Sequence, residues 1–277
     1  MGDYRFRTIS FLSDYGLSDE FVGVCHGVMA RIAPEARIID VCHGIRPQNV
    51  AEAAFVLSQA VPYLPTGVHL AVVDPGVGSA RLPVAVEAAD GCWLVGPDNG
   101  LLMPAVAALG GIRSCRKIEN PELTSQNPSR TFHGRDIFAP AAAHLARGVD
   151  PAELGGDLAV DRLVAMRVAA PRLHDGHFHA AVISVDRFGN LGTNVAATPA
   201  AEAGMVIGCL LEVGVEGHRF IAPYGEAFAS VAMGDTVVTE DSHGLLALCV
   251  NRSSAAERFG ASLGSKVLIG PIGSVSR

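Results

Sequence analysis

Short apolar runs alternate with longer amphipathic segments over the first 73 residues, and no other feature constrains the fold as strongly. Each apolar run has the length and composition of a buried strand. The first amphipathic segment has a candidate N-cap at Asp19, and the second has one at Asn49. Strands are predicted at Thr8–Ser13, Ala36–Val41 and Val68–Val73, and helices from Asp19 to Ile32 and from Pro47 to Pro62. This order predicts an α/β fold with a mostly parallel sheet and flanking helices.

The third apolar run ends in a carboxylate that is followed by a glycine-rich turn. Asp74 comes directly after Val73, and Pro75 with two glycines then turns the backbone before Arg81. Because open α/β sheets bind ligands at the carboxyl ends of their strands, we expect a ligand site here. A plain turn with a solvated carboxylate and guanidinium is the simpler interpretation, and it stays open at this point.

The next part of the chain continues the α/β pattern. Leu82–Ala88 and Cys92–Val95 are predicted to pair around an Asp90-Gly91 hairpin turn. Leu101–Leu109 is predicted to form a helix. The polar segment 119–130 carries two prolines and is predicted to be a loop.

A histidine follows this loop at the start of an alanine-rich helix. Residues Thr131–Asp136 lead into that helix, which is predicted to end near Arg147, so His133 lies at or near its N-terminus. The helix dipole at this end favours a neutral imidazole. A histidine at a helix start is more often structural than catalytic, so both interpretations stay open.

Beyond about residue 170 the pattern changes from helices to short strands. Short strands at this density predict a β-barrel. The predicted strands are Phe178–Val185, Val206–Val213, His218–Ala222, Thr236–Glu240, Leu245–Val250 and Lys266–Ile269. We therefore predict two domains, an α/β domain at residues 1–170 and a smaller β-barrel domain at residues 171–277.

Charge and hydropathy argue against two classes of partner. The net charge is −7 and Lys and Arg are not clustered, so no nucleic-acid partner is expected. No apolar run approaches the roughly 20 residues that a membrane-spanning helix needs, so no membrane partner is expected. Because no apolar signal region precedes Thr8, we expect a cytoplasmic protein.

The cysteines and histidines match no zinc-binding pattern. None of the six cysteines belongs to a CxxC pair, and Val-Cys-His-Gly occurs twice, at Val24–Gly27 and Val41–Gly44. A further group, His174, His177 and His179, lies at the polar entry to a predicted strand and is interpreted as solvated surface. The sequence therefore predicts no metal site.

Common nucleotide-binding and hydrolase motifs are absent from the sequence. The loop after Asp74 lacks the third glycine of GxGxxG, and neither a P-loop nor a GxSxG elbow occurs. What remains is a set of polar residues at turns between apolar runs: Asp14, Asp74, Arg81, His133, Asp186, Asn190 and Ser242. A carboxylate, a guanidinium and an imidazole from this set could hold one water molecule, but spacing alone leaves separate turn residues as an alternative.

Six turn segments, taken in order, resemble the S-adenosyl-L-methionine (SAM) hydroxide adenosyltransferases, also called adenosylmethionine hydrolases, which share a superfamily with the fluorinase and the chlorinase. The matching motifs are Phe11–Gly16, Asp74–Ser79 with Arg81, Pro97–Gly100, Thr131–Asp136, Asp186–Asn190 and Asp241–Gly244. Each motif is short, but six in the same order over nearly the whole chain are specific. The resemblance implies an N-terminal α/β domain, a C-terminal β-barrel and a homotrimer, with substrate bound between the N-terminal domain of one subunit and the barrel of the next.

The resemblance also implies roles for individual residues. Asp74, Arg81 and His133 correspond to a water-activating catalytic triad, and Asp14 corresponds to the carboxylate that binds ribose. The implied substrate contacts in the barrel are Asp186, Phe188 and Asn190, near the methionine and adenine ends, together with Tyr224, Ser242 and the backbone around Val250. The family's Thr-Tyr pair in the barrel is Pro223-Tyr224 in this chain.

The reaction implied by the resemblance is attack of water or hydroxide on the ribose C5′ of SAM, which yields adenosine and L-methionine. Sulfur leaves as a neutral thioether, so neither a metal nor a cofactor is expected. Halide-using members carry tyrosines in place of the Asp and the His of the triad, which favours water here. A halide-using SAM adenosyltransferase and a non-catalytic adenosine or SAM sensor are the alternatives.

Overall fold

The computed structural model describes residues 5–166 and 170–272. The chain divides into two compact units, Met1–Arg167 and Val168–Arg277, whereas the boundary drawn from the sequence lies after residue 170. Within the described ranges, no helix is both long and apolar enough to cross a membrane. All six cysteines are free thiols.

A six-stranded sheet forms the centre of the N-terminal unit, counted over residues 5–166. Its strands are β1 (Thr8–Ser13), β2 (Arg37–Cys42), β3 (Val68–Val72), β4 (Pro83–Ala88), β5 (Trp93–Pro97) and β6 (Ile112–Lys117). They lie in the order β2-β1-β3-β5-β4-β6. The first three and β5 run parallel, while β4 pairs antiparallel with β5 and β6. The predicted α/β class is confirmed, and β6 is a strand that the sequence did not predict.

Helices cover both faces of this sheet because its central strand is apolar on both sides. The helices are α1 (Phe21–Ile32), α2 (Val50–Ala60), α3 (Met103–Ala108) and α4 (Ala139–Arg147). Leu70 of β3 belongs to the core shared with α1 and α4, whereas its neighbour Ala71 belongs to the core shared with α2 and α3. All five residues of β3 are buried.

Only one of the two predicted helix caps is correct. The side chain of Asn49 accepts a hydrogen bond from the backbone N–H of Glu52 at 3.1 Å, as an N-cap does. The Asp19 cap was wrong, because α1 begins at Phe21 and its N-cap residue, Glu20, makes no side-chain capping bond.

The C-terminal unit is a nearly closed antiparallel barrel, as predicted. Its eight strands, counted over residues 170–272, are β7 (Arg172–His174), β8 (His177–Val185), β9 (Leu191–Ala196), β10 (Leu210–Val215), β11 (His218–Pro223), β12 (Thr236–Glu240), β13 (Leu245–Val250) and β14 (Lys266–Pro271). The sheet order runs from β11 through β10, β14, β8, β9 and β13 to β12. Tyr224 and Gly225 then link β11 to Val238 of β12, which nearly closes the sheet.

Two predicted features of the barrel differ from the structure. The strand expected at Val206–Val213 begins only at Leu210, and Val206 and Ile207 lie exposed in the turn before it. β9 was not predicted. Two short helices, α5 (Ala197–Glu202) and α6 (Ala255–Phe259), complete the unit.

Candidate active site

Two neighbouring strands bring Asp14 and Asp74 to the same edge of the N-terminal sheet. β1 and β3 pair in parallel, with Ser13 opposite Val72, so both carboxylates follow the carboxyl ends of adjacent strands. That edge is where open α/β sheets bind ligands. The fold therefore gathers at one place two carboxylates that are far apart in the sequence.

The glycine-rich loop after β3 turns back on itself and returns Arg81 to Asp74. Ser79 braces the loop, because its hydroxyl donates to the Gly76 carbonyl at 2.7 Å and accepts from the Arg81 N–H at 3.3 Å. Gly78 has a φ of +76°, and a Cβ at this position would lie 2.5 Å from the Arg130 carbonyl oxygen. Only glycine, which has no Cβ, allows the backbone to come this close to Arg130. The loop therefore packs against the segment that leads to His133.

Asp74, Arg81 and His133 form one connected, largely buried network. Arg81 donates to Asp74 Oδ1 from Nε at 3.1 Å and to Asp74 Oδ2 from Nη2. The same Nη2 donates to His133 Nδ1 at 2.8 Å. The side chains of Arg81 and Asp74 are only 7% and 6% exposed. The three side chains therefore converge on one another, and the interpretation of Asp74 and Arg81 as solvated turn residues is wrong.

One nitrogen of the Arg81 guanidinium has no hydrogen-bond partner among the described residues. Nη1 is buried and makes no hydrogen bond to any described residue, while the guanidinium carbon lies 5.1 Å from the ring centre of Phe138. An unsatisfied buried donor costs about 1–3 kcal/mol, so such groups are uncommon in native proteins. Nη1 is therefore a cationic donor that the described residues leave unused.

The contact with Arg81 fixes the protonation state of His133. Arginine can only donate hydrogen bonds, so Nδ1 must accept, and the neutral ring carries its hydrogen on Nε2. Burial and the charge of Arg81 lower the pKa of His133 below 6.5, against the opposite influence of Asp74 and Asp136. The imidazole is consequently neutral near pH 7. The sequence predicted the same state for a different reason, the position of His133 at the start of a helix.

Tyr15 is a residue of this region to which the sequence assigned no role. Its ring packs edge-on against Phe11 and Phe132, and its hydroxyl lies against the Cα of Gly134, the residue after His133. Gly134 begins a π-helical turn, Gly134–Phe138, that precedes α4. Such turns are frequent at functional sites. The aromatic contact thus sets the position of the backbone beside His133.

Replacing Gly134 with alanine is expected to destabilise the protein by about 1–3 kcal/mol, because the new Cβ would overlap the Tyr15 hydroxyl in a packed aromatic cluster. Gly27→Ala is the matched control, since Gly27 lies on α1 with open space around it and should become more stable by up to about 1 kcal/mol. Urea unfolding of both variants measures the difference. Equal stability of Gly134→Ala and the wild type would contradict the packing argument.

Two further hydrogen bonds hold the chain in place at the edge of the sheet where Asp14 and Asp74 lie. Asp14 Oδ2 accepts a hydrogen bond from the backbone N–H of Gln48 at 2.8 Å. Asn99, in the turn after β5, donates from its side-chain amide to the carbonyl of Val73 at 2.9 Å. Asn99 therefore positions the residue before Asp74, and its motif was noticed in the sequence without a role being assigned.

The C-terminal unit has its own cavity, of about 660 Å³, at one end of the barrel. Four of the predicted substrate contacts line it: Asp186, Phe188, Asn190 and Val250. Phe188 is 76% exposed, which is unusual for a phenylalanine in a folded domain. An aromatic face presented in this way suits stacking on a planar ring.

Asp186 organises the turn that presents Phe188. Its Oδ1 accepts from the N–H groups of Phe188 and Asn190, both at 2.9 Å, and its Oδ2 accepts from the Asn190 side-chain amide at 2.8 Å. Both carboxylate oxygens are therefore used within the turn. Asp186 is a positioning residue for Phe188 in this arrangement.

Tyr224 and Ser242 lie outside this cavity. Tyr224 is buried in the barrel core at the seam between β11 and β12. Ser242 is exposed in the turn before β13, whereas Val250 ends that strand, and the strand itself is roughly 16 Å long. The substrate contacts assigned to Tyr224 and Ser242 stay predictions.

Comparison with known families matches both units of the chain. Residues 9–155 match the family described as SAM hydroxide adenosyltransferase N-terminal domain, and residues 180–268 match the corresponding C-terminal domain. A Salinispora tropica protein named (R)-S-adenosyl-L-methionine hydrolase is 46% identical, over 94% of this chain and 97% of its own length.

Two more similarities extend this comparison. A fluorinase from an Actinoplanes species is 30% identical, over 94% of this chain and 96% of its own length. The crystal structure of an uncharacterised conserved protein from Thermotoga maritima has a TM-score of 0.89 and 36% identity, and covers 95% of this chain and 99% of that one. The hydrolase is thus the nearer of the two named relatives in sequence.

Proposed function

This chain belongs to the SAM hydroxide adenosyltransferase family, and on that premise we propose that it hydrolyses SAM to adenosine and L-methionine. One observation carries the proposal: a carboxylate, a guanidinium and an imidazole form one part-buried network at the carboxyl edge of the sheet, and one guanidinium nitrogen has no hydrogen-bond partner among the described residues. We assign Asp74, Arg81 and His133 as the catalytic residues.

The proposed reaction is a direct substitution at carbon. The oxygen of a water molecule forms a bond to C5′, the C5′–S bond breaks with its electron pair passing to sulfur, and one proton of the water passes to the solvent. Because the sulfonium becomes a neutral thioether, the leaving group needs no acid, no metal and no cofactor. The barrier lies in making water nucleophilic, since the pKa of bulk water is about 15.7.

The network suits stabilisation of an oxygen that is becoming negative. Nη1 of Arg81 is a buried cationic donor, and the nitrogen of His133 left for a ligand is the protonated Nε2. Asp74 holds the guanidinium through both of its oxygens. Donors fixed in advance toward developing charge are typically worth about 3–4 kcal/mol each, and placing water in line with the C–S bond adds an orientational contribution.

We propose that Asp14 binds the ribose and that the cavity of the C-terminal unit binds the base or the methionine end. A carboxylate can accept hydrogen bonds from both vicinal hydroxyls of the sugar, and Asp14 lies at the same sheet edge as Asp74. In the C-terminal cavity, the exposed ring of Phe188 suits a planar base.

We also propose a homotrimer in which the N-terminal unit of one subunit and the barrel of the next share each site. Large exposed apolar side chains on the C-terminal unit support this proposal, among them Leu210, Ile221 and Met233. Light scattering during size-exclusion chromatography measures the oligomeric state. A monomer at working concentration would contradict the proposal.

Incubation with SAM in oxygen-18 water, followed by mass analysis, tests the function. We expect adenosine that carries one labelled oxygen at its 5′ position, together with unlabelled methionine. A parallel reaction with chloride distinguishes the halide-using alternative, which would yield 5′-chloro-5′-deoxyadenosine. Binding of SAM with no turnover would identify a sensor and overturn the proposal.

A further inference from the structure

We propose that the N-terminal unit carries a binding site for a divalent transition-metal ion of the zinc type, formed by His26, Asp40 and His43. The ligand atoms of these three side chains all lie within 4.8 Å of one another. His26 Nε2 is 2.8 Å from Asp40 Oδ1, and His43 Nε2 is 2.9 Å from the same oxygen. Two imidazole nitrogens thus converge on one carboxylate oxygen, which brings three potential metal ligands together.

The fold, not the spacing, assembles this set. His26 comes from α1, Asp40 from β2 and His43 from the residue after β2. The two histidines belong to the two copies of Val-Cys-His-Gly, and their separation in the sequence matches no zinc pattern. The parallel pairing of β1 with β2 and the return of the chain through α1 bring the two copies together.

Two of the three donor separations lie near those found around a bound ion, and the third, between the two imidazole nitrogens, is at most 4.8 Å. Zinc binds nitrogen and oxygen at about 2.0–2.2 Å in a tetrahedral arrangement, which places neighbouring donors about 3.3 Å apart. The distances of 2.8 and 2.9 Å need to widen by about half an ångström, and small side-chain rotations can supply that. Imidazole with carboxylate favours zinc and its neighbours in the first transition row over magnesium or calcium.

A second contact holds His43 in the orientation that a ligand needs. Its ring is 97% buried, its edge packs on Phe11 with ring centres 4.6 Å apart, and its Nδ1 lies 2.7 Å from the Ser13 hydroxyl. Histidines that bind metals generally donate from the second ring nitrogen to such a partner. A serine hydroxyl can donate or accept, so Ser13 suits both the metal-free tautomer and the one with Nε2 free for an ion.

The other side of the cluster is open to solvent. The side chains of His26 and Asp40 are 33% and 44% exposed, so an ion can enter without unfolding, and water can complete its coordination. The simpler interpretation is a carboxylate that accepts two imidazole N–H bonds. The two interpretations differ in a measurable way, because only the metal site predicts an ion bound in a one-to-one ratio.

Titration of the chelator-treated full chain with Co²⁺, followed by its visible absorption, tests the proposal directly. We expect one equivalent to bind with a ligand-field spectrum, and Zn²⁺ to displace it. His26→Ala is expected to weaken binding at least tenfold without unfolding the chain, since this histidine is part-exposed on a helix. Ser13→Ala is expected to weaken it about 10- to 100-fold.

His174→Ala is the matched control, because His174 lies beside His179 on the surface of the C-terminal unit and could bind an ion nonspecifically. We expect Co²⁺ affinity to be unchanged in this variant. Affinity that survives His26→Ala but is lost in His174→Ala would overturn the proposal. Binding weaker than about 100 μM in the wild type would overturn it as well.

Discussion

Arg81→Lys is expected to lower kcat/KM at least tenfold, and on the order of 100-fold if Nη1 contacts the nucleophile. Lysine keeps the positive charge, but it cannot donate to both oxygens of Asp74, to His133 Nδ1 and to a bound molecule at the same time. The loss should appear mainly in kcat, because the guanidinium is assigned to the transition state. Steady-state assays of adenosine formation measure it.

The choice of lysine separates catalysis from folding. Arg81→Ala would leave the buried Asp74 carboxylate without its partner, which typically destabilises a protein by about 3–5 kcal/mol. Arg113→Lys is the matched control, since Arg113 pairs at 3.4 Å with Glu87 on the exposed edge of the same sheet. A folded Arg81→Lys variant with more than about half of the wild-type kcat/KM would contradict the assignment of Arg81.

Apolar patterning predicted the central strands because these are buried on both faces, as β1 and β3 are. It did not predict β6, an edge strand whose Arg113 and Lys117 resemble loop sequence. It also did not predict β9, which contains Gly192 and Asn194, two residue types depleted in strands.

Tertiary contacts explain both unusual residues of β9. A Cβ at Gly192 would overlap the Ser184 hydroxyl of the neighbouring strand. Asn194 accepts a hydrogen bond from the Ala181 N–H at 2.9 Å, close to an irregularity in the pairing of β8 with β9. Both partners lie on the neighbouring strand, and propensity weighs each residue by its type and not by its contacts, so propensity alone gives the wrong state for this strand.

The candidate active site, like the fold, could be predicted from the sequence only in part. The pairing of Asp74 with Arg81 follows from a short glycine-rich turn, which the sequence displays directly. The arrival of His133, 52 residues after Arg81, depends on the close approach of Gly78 to Arg130 and on the contact of Tyr15 with Gly134. Spacing left this convergence as one of two alternatives, and the family resemblance favoured it.

A neutral His133 should give the reaction an acidic limit. Protonation of Nδ1 would break the bond from Arg81 and place two cations in contact, so kcat/KM is expected to fall as the pH falls through the lowered pKa of His133. This pKa lies below 6.5 in the folded state. At pH values between the folded-state pKa and 6.5, the unfolded chain therefore binds more protons than the folded chain. The contribution of His133 to stability is therefore present above pH 6.5 and is lost as the pH falls through the folded-state pKa.

His133→Gln tests this limit, because the amide oxygen can still accept from Arg81 but does not titrate. We expect turnover at pH 7.5 to fall at least tenfold and the acidic limb of kcat/KM to flatten. His144→Gln is the matched control: burial and Arg147 lower the pKa of His144 too, but it lies on α4 outside the network, so its loss should leave the pH profile unchanged. Wild-type turnover in His133→Gln, or an acidic limb that moves only in His144→Gln, would show that the imidazole at 133 does not take part in activating water.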